Sequence, residues 1–240
     1  VRRRGRVLRS GAMSGPCAFP PLVVLFSDAH LTALLKPSGM LVHRGMGNDR
    51  VTLAGLAARQ LGLPVHPIHR LDRGTSGVLV IAHTPAVAAD LQQAWTDGRA
   101  QKVYLALVRG SPPPHAAIDH PVPRTEGGER VPARTVVRTL ATSTVERVAL
   151  VEARPHTGRF HQIRRHLKHL GHPVVCDANY GDNKFNRMMR ERWGLDRLAL
   201  HCGRVTFDHP REGGRLEVRA SVMEDLARVL RALGFEAPAT

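Results

Sequence analysis

The chain has 240 residues, and 35 Lys+Arg against 20 Asp+Glu leave a formal net charge of +15. A chain of that length forms one or two domains and buries about 70–75% of its unfolded surface without needing disulfides or metals. Hydrophobic content of 42% and charged content of 23% exclude global disorder, collagen-like repeats and coiled coils. No apolar stretch nears the roughly 18 residues of a membrane span, and the arginines of Val1–Ser10 have no apolar stretch behind them to make a secretory signal. Cys17, Cys176 and Cys202 are scattered and odd in number, which argues against a disulfide framework or a structural zinc site. The reducing cytoplasm is the expected location.

Of the 35 cations, 31 are Arg and 4 are Lys, and the sequence pI is about 11.3. The planar fork of Arg suits phosphate, so a polyanionic partner is expected. A compositional bias toward Arg and Ala would raise the pI with no partner at all, and charge alone does not separate DNA from RNA.

In chain order, Val1–Pro20 carries Arg2, Arg3, Arg4, Arg6 and Arg9 before a Gly/Ser/Pro-bearing stretch, and reads as a disordered basic arm. Leu22–Phe26 and Leu31–Leu35 flank Ser27-Asp28-Ala29-His30 as a hairpin, which Lys36-Pro37-Ser38-Gly39 ends. Leu53, Leu56, Ala57 and Leu61 predict a helix stopped by Gly62. Gly77–Ala82 predicts a buried strand, and Thr84 caps a helix with Pro85 at its first position and Gly98 at its end. Val103–Val108 predicts a strand buried on both faces, Ser111–His115 a proline-rich connection, and Arg134–Leu140 with Val145–Ala153 two further strands. Phe160–Leu170 reads as a basic helix, Asp182–Asp196 as a charged excursion, Leu198–Phe207 as a strand and Val222–Leu233 as an amphipathic helix. Strands in hairpin-like groups point to an α+β fold rather than alternating βαβ units.

The densest chemical signal is His69-Arg70-Leu71-Asp72-Arg73-Gly74-Thr75-Ser76-Gly77. Neighbouring cations favour the charged form of a carboxylate, and Thr75, Ser76 and nearby backbone N–H groups are expected to orient Asp72 as a nucleophile or base. The plainer alternative is a turn aspartate bonded to its own backbone. A second signal spans Pro155–Leu170, where Gly158 is expected to open a helix bearing Arg159, His161, Arg164 and Arg165. A helix start with cationic side chains suits phosphate, although a merely solvated basic face gives the same pattern. His156, His161, His166, His169 and His172 lack HExxH or a neighbouring carboxylate pair, so no metal site is expected. Paired acids for glycoside hydrolysis and a GxxxxGK[ST] loop are also absent.

Three ordered stretches, Leu34–His43, His69–Gly77 and His156–Leu170, resemble the motifs of the RluA-type family of RNA pseudouridine synthases. The resemblance runs from about Leu22 to the C-terminal helix. It implies a basic arm over residues 1–20 and a catalytic domain over residues 21–240, with a mostly antiparallel sheet flanked by helices around a central cleft. By the same resemblance the catalytic aspartate is Asp72, the active-site tyrosine is Tyr104, and Arg164 pairs with the aspartate. Ile163 lies against the base, and Arg70 enters the RNA stack when the uridine leaves. The family's separate S4-type domain has no counterpart here, so RNA affinity is expected from the catalytic domain's own surface, with Arg159, Arg165 and Lys168 as candidates. The implied reaction needs no cofactor, metal or nucleotide hydrolysis, and the implied state is a monomer that binds RNA and no membrane.

Gly171–Asp177, Tyr180–Asp182, Asn186 and Glu191–His201 are similar to the subgroup of C-type tRNA synthases, which modify a uridine in the 3′ strand of the T stem. Cys176 departs from that pattern, which has glycine before the aspartate. The alternatives are a large-subunit ribosomal RNA enzyme and a non-catalytic RNA-binding module on the same fold.

Overall fold

A computed structural model of the chain describes residues 20–43 and 51–236. Apart from Pro20, the expected basic arm lies outside the described residues. The predicted hairpin is β1 (Val23–Ser27) paired antiparallel with β2 (Leu31–Lys36). Asp28 sets its turn, because Oδ1 accepts from the N–H groups of His30 and Leu31 at 2.7 and 2.9 Å. Helix α1 (Leu53–Leu61) begins where Thr52 Oγ1 accepts from Gly55 N and ends at Gly62, φ 70°, a left-handed stop that costs glycine little.

A short β3 (His66–Pro67) leads to β4 (Ser76–Ala82), buried along its whole length. Helix α2 (Pro85–Thr96) has the predicted Thr84 cap and Pro85 start, and it packs on β4. Strand β5 (Gln101–Arg109) is followed by β6 (His115–Asp119), by the two-residue β7 (Val122–Pro123) and β8 (Arg130–Val131), then by β9 (Arg134–Thr142) and β10 (Val148–Pro155). Helix α3 (Gln162–His169) packs on β9 and β10. Helix α4 (Asn183–Trp193), β11 (Leu200–Asp208), β12 (Arg215–Arg219) and α5 (Glu224–Ala232) complete the order.

The main sheet runs β1-β2-β4-β11-β5-β10-β9-β6, with β12 on β11 and β3 on β4. Every pair is antiparallel except β4 with β11, so the fold is α+β with a mostly antiparallel sheet, as expected. The parallel pair joins His201 to Ser76 and Cys202 to Gly77. Gly77 has φ +118°, and a Cβ there would stand 2.2 Å from the Cys202 carbonyl oxygen; only a residue without a side chain allows this approach. Leu79, Ile81, Leu107 and Phe207 are fully buried along the centre of the sheet, and each contributes about 1.5–3 kcal/mol of burial.

Several local expectations need correction. Helix α3 begins at Gln162 rather than near Gly158, and His161 before it is left-handed at φ 52°. The charged excursion is α4: Asp182 accepts from Phe185 N, Gly194 ends the helix at φ 65°, and Asn186 and Met189 are its buried contacts. With so few apolar anchors among Lys and Arg, its period was faint in the sequence. His115, expected within a connection, opens β6 instead. Strand β12 carries little sequence signal, since only Val218 in it is buried.

Candidate active site

The loop carrying Asp72 connects β3 to β4 and is held from beneath by the end of β2. Lys36 is wholly buried, and its ammonium donates to the carbonyls of Pro37, Arg73 and Thr75 at 2.9, 3.1 and 2.7 Å. Burial pushes Lys36 down to about 7, with Arg197 acting the same way and Asp72 opposing; three carbonyl acceptors match the three N–H groups of the charged form. Ser38 Oγ donates to Gly74 O at 2.7 Å, and Arg73 Nε donates to Gly39 O at 3.0 Å. Two distant sequence motifs thus form one rigid loop.

The partner of Asp72 comes from α3. Arg164 Nη1 donates to Asp72 Oδ2 at 3.1 Å. The same guanidinium is gripped by Asp177, with Nε to Oδ2 and Nη2 to Oδ1 both at 2.7 Å, and Nη2 also meets Asn179 Oδ1 at 3.0 Å. Burial opposes the charge on Arg164, but Asp177 and Asp72 outweigh it and raise its pKa. His161 Nε2 lies 3.9 Å from Asp72 Oδ2, and His161 Nδ1 is 3.0 Å from the Tyr180 hydroxyl; burial lowers the pKa of this imidazole despite Asp72.

The expected clamp on Asp72 differs. Arg70 and Arg73, its neighbours in sequence, are exposed, and the ion pair forms with Arg164, the pairing that the family resemblance implies. Thr75 N does bond the Asp72 backbone carbonyl at 3.0 Å, but Thr75 Oγ1 has no partner. Ser76 Oγ belongs to another chain of bonds, accepting from Arg197 Nη2 at 2.7 Å and lying 2.8 Å from His201 Nδ1.

A cleft of about 760 Å³ opens beside Asp72, and Arg70, Tyr104, Arg159, Ile163 and Arg164 line it with the aspartate. Tyr104 sits on the central β5 and is buried beside the Cys202 thiol. Burial and that thiol hold its phenol well above the usual pKa. Arg165 and Lys168 are not part of the lining. The Arg165 guanidinium lies over the rings of Tyr180 and Phe160, 4.9 and 5.7 Å from their centroids, whereas Lys168 is exposed. Arg164 in the first turn of α3 is buried, whereas Lys168 one turn later is exposed, so the cations of this helix do not share one environment.

Of the histidines singled out by sequence, His166 is buried between Thr135 Oγ1 and the His120 carbonyl, at 2.8 and 2.9 Å, and His172 meets the Arg109 carbonyl at 2.9 Å. These are structural bonds. No group of three His, Cys, Asp or Glu among the described residues is placed to hold a metal ion.

Nothing local in the sequence marks Asp177 as the partner of Arg164. Cys176 takes the left-handed φ of 58° that glycine would take without strain, and its backbone N–H donates to Asn186 Oδ1 at 2.8 Å. Asn186 Nδ2 in turn donates to Asp177 O at 3.0 Å. Helix α4 thereby fixes the turn that fixes Arg164.

An aspartate–arginine–aspartate network at the edge of a cleft, on the mostly antiparallel sheet of a chain with net charge +15, suits an enzyme that acts on a polyanion. Residues 30–169 match the RNA pseudouridylate synthase family, and the chain belongs to it: an isomerase that converts uridine in RNA to pseudouridine. Among its relatives, the tRNA pseudouridine synthase C of Pasteurella multocida is 38% identical over 222 residues, 84% of this chain and 91% of that one. The ribosomal large subunit pseudouridine synthase C of Escherichia coli is 37% identical over 88% of this chain and 70% of its own. The solved structure of Human RNA Pseudouridylate Synthase Domain Containing 4 superposes with a TM-score of 0.73 at 26% identity, covering 90% of this chain and 94% of that chain.

Proposed function

We propose that this enzyme isomerises a uridine in the 3′ strand of the T stem of tRNA, with Asp72 as the catalytic residue. The observation that carries the site is the position of Asp72, held at 3.1 Å by a guanidinium that Asp177 grips twice, at the edge of a cleft lined by Tyr104 and Ile163. In the reaction the N1–C1′ bond of uridine breaks, the uracil turns, and C5 bonds to the same C1′. The C5 proton is then lost and N1 gains one. No oxidant, reductant or nucleotide is consumed.

Asp72 acts on the ribose, by attack or by abstraction of a sugar proton. Arg164 keeps its carboxylate aimed and Asp177 positions Arg164. Tyr104 stacks on the extruded base, with Ile163 against it. A phenol held well above its usual pKa by burial suits stacking better than service as a resting base. Arg70, exposed at the rim of the cleft, fills the space the uridine leaves. Extrusion of a paired base costs a few kcal/mol, offset by stacking and polar contacts in the pocket. Arg159 on the cleft wall and Lys168 outside it supply phosphate contacts. The enzyme works as a monomer, without metal or cofactor, in the cytoplasm, where the described thiols Cys176 and Cys202 stay free.

The tRNA preference is supported by the relative named for tRNA, matched over 91% of its length against 70% for the one named for the ribosomal large subunit. The test is tritium release from RNA labelled at uracil C5. Purified protein should release tritium from an unmodified tRNA transcript, at a single T-stem position. Release only from a large-subunit ribosomal RNA fragment would move the substrate and leave the chemistry. RNA binding without release from either would support a non-catalytic module.

A further inference from the structure

A second cavity, about 480 Å³ in volume, adjoins the base cleft at Asp72. Asp72, His161 and Arg164 are shared between the two. Its lining brings four guanidiniums, Arg73, Arg164, Arg190 and Arg197, against the carboxylates of Asp72 and Asp196. Asp177 already holds Arg164 and Asp225 already holds Arg197, so the half-exposed Arg190 is the cation that an incoming anion meets. The volume falls within the range of small-ligand sites.

Helix α4 runs from this cavity onto the surface. Its inner side is fixed by Asn186, bonded to Cys176 N and Asp177 O, and by the fully buried Met189. Its outer side carries Lys184, Arg187 and Arg190, all exposed and three residues apart. That spacing keeps them on one face over a rise of about 9 Å. Lys184 and Arg187 have no carboxylate partner among the described residues. Arg190 has Asp196 at 3.5 Å, with side chains 49% and 90% exposed, and such a surface pair is worth about 0–1 kcal/mol. A phosphate displaces that partner at little cost. The basic face is thus continuous with the cavity through Arg190 and rigidly tied to Asp177.

We propose that the second cavity and the outer face of α4 form a phosphate track for the RNA strand next to the target uridine. One phosphate flanking that uridine sits in the cavity near Arg190, and the strand continues along Arg187 and Lys184. Asp72 then stands between the base in one cavity and the backbone in the other, so the strand is gripped beside the reacting sugar. This rests on the base cleft holding the extruded uridine.

The test uses the full chain and a tRNA transcript, with dissociation constants measured across salt concentrations for wild type, Arg187→Ala/Arg190→Ala and Arg187→Lys/Arg190→Lys. Loss of two phosphate contacts should lower the slope of log K against log salt by about two and weaken binding at low salt by about tenfold or more. Lysines should restore most of the slope, because charge is what the track supplies. Melting temperatures of the three proteins check that the helix is intact. A second measurement replaces each phosphate flanking the target uridine, in turn, by an uncharged methylphosphonate. One replacement should weaken wild type and add little to the loss in Arg190→Ala. An unchanged slope in the double alanine variant, or fully additive losses at both phosphates, overturns the track. Failure of tritium release by wild type instead overturns the catalytic reading, while the salt slopes still report on the track.

Discussion

Asp177 and Arg164 meet through two parallel hydrogen bonds of 2.7 Å, with Asp177 fully buried. This bidentate pair is shorter than the 3.1 Å contact that Arg164 makes to Asp72. Arg164 is therefore anchored by Asp177 and offered to Asp72. Breaking a buried pair from one side leaves a charge without its partner and costs about 3–5 kcal/mol. Asp177→Asn should lower the melting temperature and reduce kcat far more than it raises KM. A variant with wild-type kcat would show that Asp177 is only structural.

Asp72→Asn keeps the size of the side chain and removes the carboxylate. Turnover should vanish while RNA affinity stays within about threefold, the pattern of a group used in the transition state rather than in ground-state binding. Single-turnover assays with saturating enzyme read this directly. Measurable isomerisation would remove Asp72 from the chemistry.

Gly77→Ala should be among the most damaging single substitutions in the sheet. Its Cβ would meet the O, N and C atoms of Cys202 at 2.2, 2.6 and 2.7 Å, and these are backbone atoms rather than the far end of a flexible side chain. Separating β4 from β11 displaces the loop carrying Asp72 along with the strand. Urea titration should show a fall of several kcal/mol or failure to fold; stability within about 1 kcal/mol of wild type would contradict the close approach.

Stability should fall in mild acid. Burial pulls His201 down to about 4, and its ring lies between Ser76 Oγ and the Ala220 carbonyl. The folded pKa is below the ordinary 6.5, so the unfolded chain takes up the proton first as pH falls. The contribution is complete above about pH 6.5 and is lost as pH falls toward 4, on the order of 3 kcal/mol. Urea unfolding from pH 7 to 4 should show this loss, and His201→Gln should reduce the pH slope by about one proton. An unchanged slope would mean that another group takes up the proton.

Arg165 and Lys168 should separate in their effects. Lys168→Ala, at an exposed position, should lower the salt slope of RNA binding by about one with little change in melting temperature. Arg165→Ala also removes a cation packed over Tyr180 and Phe160, so it should cost about 0.5–2 kcal/mol of stability as well. Equal stability losses in the two variants would contradict this packing.

The chain by itself determined the elements whose signals are local. Thr52 with Gly62, and Thr84 with Pro85, bracket α1 and α2 because capping depends on residues a few positions apart. The apolar runs of β4 and β5 follow from burial on both faces, and the His69–Gly77 stretch marked Asp72 through its own composition. Tertiary structure decided the rest. Arg164 reaches Asp72 from 92 residues away, and no spacing distinguishes it from Arg159 or Arg165 as the inward cation. The sheet brings β11 between β4 and β5, which sets His201 against Ser76 and leaves Thr75 and Ser76 out of the clamp on Asp72. Asp177 gained its role only when α3 and the turn held by α4 came together. Local order in a chain follows from propensity and capping over a few residues, whereas a charge relay depends on which distant side chains share one dry volume. That volume exists only after the sheet has closed around it.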